Sequence, residues 1–303
     1  MQSHYRIAAG KVVETQDEQS SIVAFFTPTE AEKRYCIEQL KLDEHTFSSA
    51  LDPDELSRLE FEPDHIALIY SRPRNRHATD EFLFRGGTAG AFLFKDRLVI
   101  VSADDVPAFS GVQTTRVQSN AGLVLKLILA AVVHFREHLK VISMIADELQ
   151  KEINTAMENR HLIHLFTLEK SMVFYLNFIH SNSLLLEKIK HNAARIGFTP
   201  DEQEVLDDII IENAQCYKQA EIYSNIIASL MDARASIVGN NLNSLMKTLT
   251  IITIAIMAPT LVVSIFSMNV ALPLQKNPLA FAIVLALAVI SAVAVLLFWF
   301  RKR

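Results

Sequence analysis

The hydrophobic pattern is dominated by an uncharged stretch near the C-terminal end, Thr248 to Asn269. No charged residue lies between Lys247 and Lys276, and about 20 helical residues are enough to cross a hydrocarbon core. A second apolar run, rich in Ala, Val, Leu and Ile, covers 278–300. The pattern therefore predicts two membrane-spanning helices, which a short outer loop at 270–277 connects.

The first span carries a row of polar and thioether side chains at spacings of three and four. Residues with this spacing share one face of a helix. This polar row consists of Asn243, Met246, Thr250, Thr253, Met257, Thr260 and Ser264. Hydroxyl and amide groups are unfavourable against lipid but favourable against other helices or water. The row alone therefore predicts either helix packing or the lining of a pore.

Long helices are predicted between the soluble part and the spans. An antiparallel helical pair is predicted over 119–200, where the chain is helical with few breaks. Gly197 and Pro200 form the stop signal at the end of the second helix. The next helix, 201–247, has no glycine or proline before Gly239 and should continue unbroken to Ser267. A helix of that length needs neighbouring helices for its stability.

The surface of this stalk helix carries an apolar heptad row, which is typical of helices that bundle around an axis. The row consists of Ile209, Cys216, Tyr223, Leu230 and Ile237. Polar residues at Asn213, Arg234 and Asn241 predict a stalk with a wet interior. One long helix inside a monomeric bundle is the alternative.

Residues 1–118 are predicted to form a mixed α/β domain. Short apolar runs rich in β-forming residues predict strands at Ile22–Phe26 and His65–Tyr70, and a hairpin within Ala91–Val101. Two polar or glycine-rich segments, Arg72–Arg76 and Gly86–Gly90, predict loops. The glycine-rich segment lacks the Lys-Ser/Thr ending of a phosphate loop, so no nucleotide site is predicted there.

Charge is distributed unevenly along the chain. Of 29 basic and 34 acidic residues, five basic and no acidic residues lie from Lys247 onward, so the remainder carries 24 basic and 34 acidic residues, a net charge of −10. An acidic body argues against nucleic acid as a partner and suits the attraction of cations. Lys247 and the basic tail 301–303 place both ends of the spans in the cytoplasm by the positive-inside rule.

Other sequence signals bear on compartment and chemistry. Cys36 and Cys216 match no metal-binding spacing, so both are predicted to be free thiols in a reducing compartment. The N-terminal residues contain no apolar h-region, so no signal peptide is predicted. The chain contains no nucleophile–base motif, catalytic metal spacing or cofactor fingerprint, so neither an enzyme nor a bound cofactor is predicted.

The end of the first span resembles the CorA family of divalent-cation channels. Ser267-Met268-Asn269 stands where that family has Gly-Met-Asn, and Asn240 to Thr250 resembles the family's Asn-rich entry into the membrane. The resemblance implies an α+β membrane protein: an N-terminal α/β cytoplasmic domain, a helical stalk and two C-terminal transmembrane helices, assembled as a homopentameric funnel. It implies a channel in the inner (plasma) membrane.

The resemblance also implies a transported ion. Mg²⁺ uptake, with Co²⁺ or Ni²⁺ as further ions, is the first expectation. A Zn²⁺ transporter of the same family and a non-conducting membrane-anchored sensor or scaffold are the alternatives. Ser267 in place of the family's glycine and the non-acidic outer loop bear on which ion passes.

Roles for individual residues follow from the same resemblance. Asn269 would line the outer mouth next to Ser267 and Met268, and the polar row would line the pore, with Met257 and Met246 as apolar constrictions. Asp232 would lie on the pore side of the stalk; a solvated helix face is the alternative.

A regulatory cation site is also implied between subunits. Asp208 would bind regulatory Mg²⁺ together with an acid from a neighbouring subunit. The ungapped match for that acid falls near Ser49 rather than on an acid, and Asp52 lies close by.

Overall fold

The computed structural model describes residues 2–17, 19–74, 82–104, 116–155, 160–268 and 278–302. These residues form two compact units, Met1–Met231 and Asp232–Arg303. The first unit contains a β-sheet and most of the helices. The second contains the end of the longest helix and the last helix of the chain.

The first unit begins with a seven-stranded mixed sheet in the order β2-β1-β3-β7-β6-β5-β4. All neighbouring strands are antiparallel except β3 and β7, which are parallel. The strands are β1 (Gln2–Ala8), β2 (Lys11–Thr15), β3 (Ile22–Phe26), β4 (Arg58–Phe61), β5 (His65–Pro73), β6 (Gly86–Phe94) and β7 (Leu98–Ser102). The predicted strands at Ile22–Phe26 and His65–Tyr70 and the predicted hairpin are confirmed.

Helices cover both faces of the sheet. Two short helices follow β3, and five helices follow β7 among the described residues. The last of these five is the C-terminal helix. They are α1 (Glu30–Glu38), α2 (Glu44–Ser49), α3 (Asn120–Thr155), α4 (Arg160–His191), α5 (Ala193–Ile196), α6 (Pro200–Phe266) and α7 (Ala280–Lys302). The predicted continuity of the stalk helix into the first span is confirmed, because α6 is one helix of 67 residues.

β3 separates two hydrophobic cores because successive side chains of a strand point to opposite faces. Ile22 and Ala24 belong to the core that includes α3, whereas Val23 and Phe25 belong to the core that includes Cys36 of α1 and Phe47 of α2. Every residue of β3 is therefore buried. This explains why a continuous apolar run, rather than an alternating one, encodes this strand.

One carboxylate joins the beginnings of α3 and α6. Glu202 accepts a hydrogen bond from the backbone N–H of Thr199 at 2.9 Å with Oε2, and its Oε1 accepts one from the hydroxyl of Ser119. The Ser119 hydroxyl also accepts from the N–H of Gly122 at 2.8 Å. A Cβ at Gly122 would collide with the Glu202 carboxylate, so glycine is needed for this close approach.

The helix α6 packs against α3 and α4 of its own chain. Ile209 and Cys216 of the predicted axial row are at most 1 % exposed, and Cys216 lies in one core with Phe135 and Ile179. The prediction that this row faces an oligomer axis was therefore wrong over its first half. A heptad pattern shows that one face is buried, and here the intrachain helices bury it.

Two of the three polar interruptions of the stalk are buried within the chain and do not line a wet interior, whereas Asn241 is half-buried. Asn213 is 1 % exposed and donates hydrogen bonds to the carbonyl of Ile179 at 3.1 Å and the hydroxyl of Ser183 at 2.8 Å. Arg234 is also buried. The amide nitrogen of Asn213 thus joins α6 to α4, whereas its buried amide oxygen has no partner among the described residues. This contact within the chain corrects the interpretation from sequence.

Two predicted loops belong to strands. Gly86–Gly90 forms the first part of β6. Glycine is present in this strand because of limited space: a Cβ at Gly86 would collide with the Phe178 ring, and one at Gly90 would lie 2.6 Å from the Cβ of Ala50. Arg72 lies in β5 and is buried, and burial lowers the pKa of its guanidinium. Residues 75 and 76 of the predicted basic loop lie outside the described residues. The strands β1, β2 and β4 and the helix α2 were not predicted.

A buried polar network joins α4 to the sheet. The amide oxygen of Asn182 accepts from the N–H of Ser71 at 2.9 Å and the hydroxyl of Ser57 at 2.7 Å, and its amide nitrogen donates to the Ser71 carbonyl at 2.8 Å. The Asn182 side chain thus pairs with Ser71 as a neighbouring strand would. Both polar groups of a buried backbone position are satisfied in this way.

We expect Asn182→Ala to lower the free energy of unfolding by about 3 kcal/mol, because it removes the donor to the buried Ser71 carbonyl, the acceptor of the Ser57 hydroxyl and one of the two acceptors of the Ser71 N–H. The measurement is the thermal unfolding midpoint in detergent micelles, with a decrease of at least about 5 °C expected. Asn177→Ala, an exposed position on the same helix, is the matched control and should leave the midpoint unchanged. Equal midpoints for the two variants would contradict the role of the network.

Both cysteine thiols are inert according to the structure. Cys36 and Cys216 are free and at most 1 % exposed, and burial raises the pKa of each thiol to about 12. Because the thiolate is the reactive form, we expect no reaction with a thiol reagent at pH 8 in detergent and two reactive thiols after denaturation. A rapidly reacting Cys216 in the folded protein would contradict the packing of α6 against α3, and a rapidly reacting Cys36 would contradict the packing of α1 against the sheet.

Candidate functional site

The polar row lies on the exposed surface of α6. All seven of its residues are exposed, and Met246 and Met257 are exposed by 60 % and 63 %. No described residue of the second unit covers this face, although α7 covers another face of the same helix. An exposed row of hydroxyl, amide and thioether groups on an apolar helix therefore needs a partner other than lipid.

The threonine hydroxyls of the row have a fixed orientation. Thr250, Thr253 and Thr260 each donate a hydrogen bond to the carbonyl four residues earlier, at 2.8, 2.9 and 2.7 Å. The hydroxyl proton is thereby directed into the helix, which leaves the oxygen lone pairs as acceptors on the outer side. The row thus presents neutral oxygen acceptors to whatever lies in front of it.

The face of α6 that packs against α7 lies on the opposite side. The half-buried positions of the span form this α7-facing row, which consists of Ile251, Ala255, Ala258, Pro259, Val262 and Phe266. At 3.6 residues per turn, its centre lies roughly 170° from the centre of the polar row. The α6–α7 contact therefore leaves the polar row free for a partner outside the chain.

The contact surface of α7 was not identified from the sequence. Its buried and half-buried positions repeat at similar spacings to those of α6 and consist mainly of small residues: Ala280, Ile283, Val284, Ala288, Ser291, Ala292, Val295 and Trp299. Ala288 is 5 % exposed, and the Ser291 hydroxyl donates to its carbonyl at 2.7 Å. Small residues at spacings of three and four allow membrane helices to approach closely, and this was the available signal.

Pro259 lies inside α6 without ending it. Proline has no backbone N–H, so the carbonyl of Ala255 loses its usual helical donor. Both residues lie in the α7-facing row. The backbone irregularity is therefore located on the side of α6 that packs against α7, away from the polar row.

The signature at the end of the first span is only partly described. α6 ends at Phe266, and the hydroxyl of Ser267 donates to the carbonyl of Ser264 at 2.9 Å. Met268 is 57 % exposed. Asn269 lies outside the described residues, so its role remains a prediction from the sequence.

The three predicted acidic residues are exposed. Asp52 accepts from the N–H of Asp54 at 3.0 Å, and Asp208 and Asp232 lie on the exposed surface of α6. Within the described ranges, no group of three or more His, Cys, Asp or Glu side chains could hold a metal ion. One chain therefore does not assemble a metal site from these residues.

A buried serine lies near the position at which the resemblance would require an acid. Ser49 is 5 % exposed, and its hydroxyl accepts a hydrogen bond from Arg58 at 2.9 Å. Arg58 also forms ion pairs with Glu55 and Glu60 at 3.3 and 3.0 Å. Ser49 is therefore engaged within its own chain, and Asp52 is the exposed acid nearby.

Comparisons with known proteins agree with this architecture. The family model described as CorA-like Mg²⁺ transporter protein matches residues 17–302. The cobalt/magnesium transport protein CorA of Methanocaldococcus jannaschii is 23 % identical over 264 residues, which cover 83 % of this chain and 80 % of that protein.

Solved structures show the same fold. The complete CorA magnesium transporter from M. jannaschii matches with a TM-score of 0.82 at 18 % identity, covering 100 % of this chain and 97 % of that one. Full-length CmaX matches with a TM-score of 0.74 at 13 % identity and the same coverage. The cytoplasmic domain of ZntB from Vibrio parahaemolyticus matches with a TM-score of 0.60 at 12 % identity, covering 78 % of this chain and 98 % of that domain.

Among the described residues, two helices, α6 and α7, are long and apolar enough to cross a membrane. Almost none of the residues in their most apolar segments is buried. The family match extends across both helices and most of the soluble unit. The chain therefore belongs to the CorA-like Mg²⁺ transporter family, as a membrane-embedded divalent-cation transporter and not an enzyme.

Proposed function

We propose that the protein is a channel for Mg²⁺ uptake whose pore is lined by the polar row of α6 in a homopentamer. The observation that carries the proposal is the exposure of this row on the side of α6 opposite α7. One polar helix face cannot enclose a pore, whereas several copies around an axis can. The pentameric number comes from the family resemblance.

The chemistry of the row suits a hydrated cation. Mg²⁺ loses its water reluctantly, and the water molecules around it are hydrogen-bond donors. The outward lone pairs of Thr250, Thr253 and Thr260 can accept from these water molecules without replacing them. Because the row carries no charge, it would hold the ion less tightly than carboxylates and would let it leave.

Other residues would control passage along the same axis. Met257 and Met246 would narrow the pore with apolar side chains, which gate by excluding water. Asn269, beside Ser267 and Met268, would form the outer mouth, and Asp232 would attract cations at the cytoplasmic end. Asp208 and Asp52 are both exposed, as a cation bridge between neighbouring subunits would require.

The direction of transport follows from the proposed topology. Lys247 and the basic tail would keep both ends of the spans in the cytoplasm of a cell whose inner membrane contains the protein. The membrane potential would then drive Mg²⁺ inward, with Co²⁺ and Ni²⁺ as further candidates. High internal Mg²⁺ would occupy the bridge between subunits and favour the closed state.

A Zn²⁺ transporter is the second candidate. The observation in its favour is the likeness of the soluble unit to the ZntB cytoplasmic domain, which concerns the fold. Against it, both spans and the outer loop contain no histidine or cysteine, the usual Zn²⁺ ligands. A non-conducting sensor or scaffold would carry none of these ions.

We expect liposomes that contain the purified protein to take up Mg²⁺ and to prefer it over Zn²⁺ in a panel with Co²⁺ and Ni²⁺. Asn269→Ala should reduce Mg²⁺ flux at least about tenfold, because it removes a hydrogen bond to a charged, hydrated ion. Gln275→Ala in the outer loop is the control. Preferential Zn²⁺ flux would favour the second candidate, and an absence of divalent flux would favour the non-conducting one.

We expect added cysteines to distinguish the two faces of α6. The natural thiols are buried, so single substitutions can be read in the natural background. Thr260→Cys on the polar row should react with a charged, water-soluble thiol reagent at least about tenfold faster than Val262→Cys on the α7-facing row, because thiolate formation needs water. Equal rates at the two positions would contradict a pore along the polar row.

A further inference from the structure

A partly open apolar groove lies between the two membrane helices. Its volume is about 520 Å³, and its lining consists of Ile251, Ile254, Ala294, Val295, Phe298 and Trp299. This volume is within the range of roughly 300–1,000 Å³ that is typical of small-molecule sites. Apart from the indole nitrogen of Trp299, no lining side chain carries a hydrogen-bonding group.

Basic side chains flank one end of this groove. Lys247 precedes Ile251 by one helical turn on α6, and Arg301 follows Trp299 by two residues on α7. Both basic residues are exposed. Because helical residues rise 1.5 Å each, each charge lies within about 6 Å of the groove along its helix axis. Tryptophan prefers the boundary between hydrocarbon and headgroups, so this end of the groove lies at headgroup level.

We infer that the groove binds one acyl chain of an anionic phospholipid, whose headgroup lies against Lys247 and Arg301. In a membrane, a groove with an apolar lining is filled by a hydrocarbon chain, and an anionic headgroup gains the attraction of the two basic residues. A second copy of the protein is a less suitable occupant, because an apolar helix in the groove would supply no anion to Lys247 and Arg301. The inference rests on the two helices spanning a membrane and not on the proposed pore.

The chain contains a probe at this site, because Trp299 is its only tryptophan. The full-length protein is reconstituted in phosphatidylcholine vesicles with a small fraction of bromine-labelled lipid, which quenches tryptophan fluorescence on contact. We expect bromine-labelled phosphatidylglycerol to quench several-fold more than bromine-labelled phosphatidylcholine at the same mole fraction. Each basic residue near a membrane surface favours an anionic lipid about fivefold.

Variants separate the apolar and charged parts of the site. Ala294→Phe should fill the groove and abolish the preference, whereas Ala286→Phe, on the exposed side of α7, should retain it. Lys247→Gln and Arg301→Gln should each reduce the preference about fivefold. Circular dichroism and gel filtration of each variant establish that it is folded and has the size of the wild type.

Three results would overturn the inference. Equal quenching by the two labelled lipids would show that the groove has no preference for the anionic headgroup. An unchanged preference in Ala294→Phe would place the bound lipid elsewhere. Very weak quenching by both lipids would show that a second copy of the chain covers Trp299. Because ion flux is measured separately, a failure of the proposed channel function leaves each of these results interpretable.

Discussion

The structure depends on the continuity of α6, which runs as one helix from the soluble unit into the membrane. A helix of 67 residues extends about 100 Å, and isolated helices have little stability of their own. Different neighbours therefore support it along its length. In the first unit α3 and α4 bury Ile209 and Cys216, and in the second unit α7 packs against the row from Ile251 to Phe266.

These contacts determine which part of the membrane helix remains available. α7 presents mainly alanine, valine and serine to α6, so the two helices can approach closely over one narrow face. The opposite face keeps its hydroxyl and amide oxygens exposed, and the threonine hydrogen bonds direct those oxygens outward. The membrane-spanning part of α6 therefore has two distinct faces: the α7-facing row packs within the chain, and the polar row remains exposed.

The sequence was informative where a pattern is periodic and local. It predicted β3 and the continuity of α6, because a buried apolar run and an uninterrupted helical stretch have few other interpretations. It was less informative where a pattern has more than one structural use. The heptad row of α6 shows that a face is buried but not which helices bury it, and Gly86–Gly90 is glycine-rich because Phe178 and Ala50 need the space in a strand.

The candidate site follows the same division. The polar row was visible from its spacing, whereas its position opposite α7 depends on which face of α7 makes the contact. Among the described residues, no group of three or more metal-ligating side chains could hold a metal ion. The roles of Asp52, Asp208 and Asp232 are therefore a proposal about neighbouring subunits.

The carboxylate of Glu202 has a mechanical consequence. It binds Thr199 at the beginning of α6 and Ser119 at the beginning of α3, and Gly122 gives it room. A twist of α6 about its own axis at this end would stretch the bond to Ser119 or turn α3 along with it. The hydrogen bonds of Glu202 therefore couple the rotation of α3 to the rotation of α6 at the N-terminal ends of the two helices.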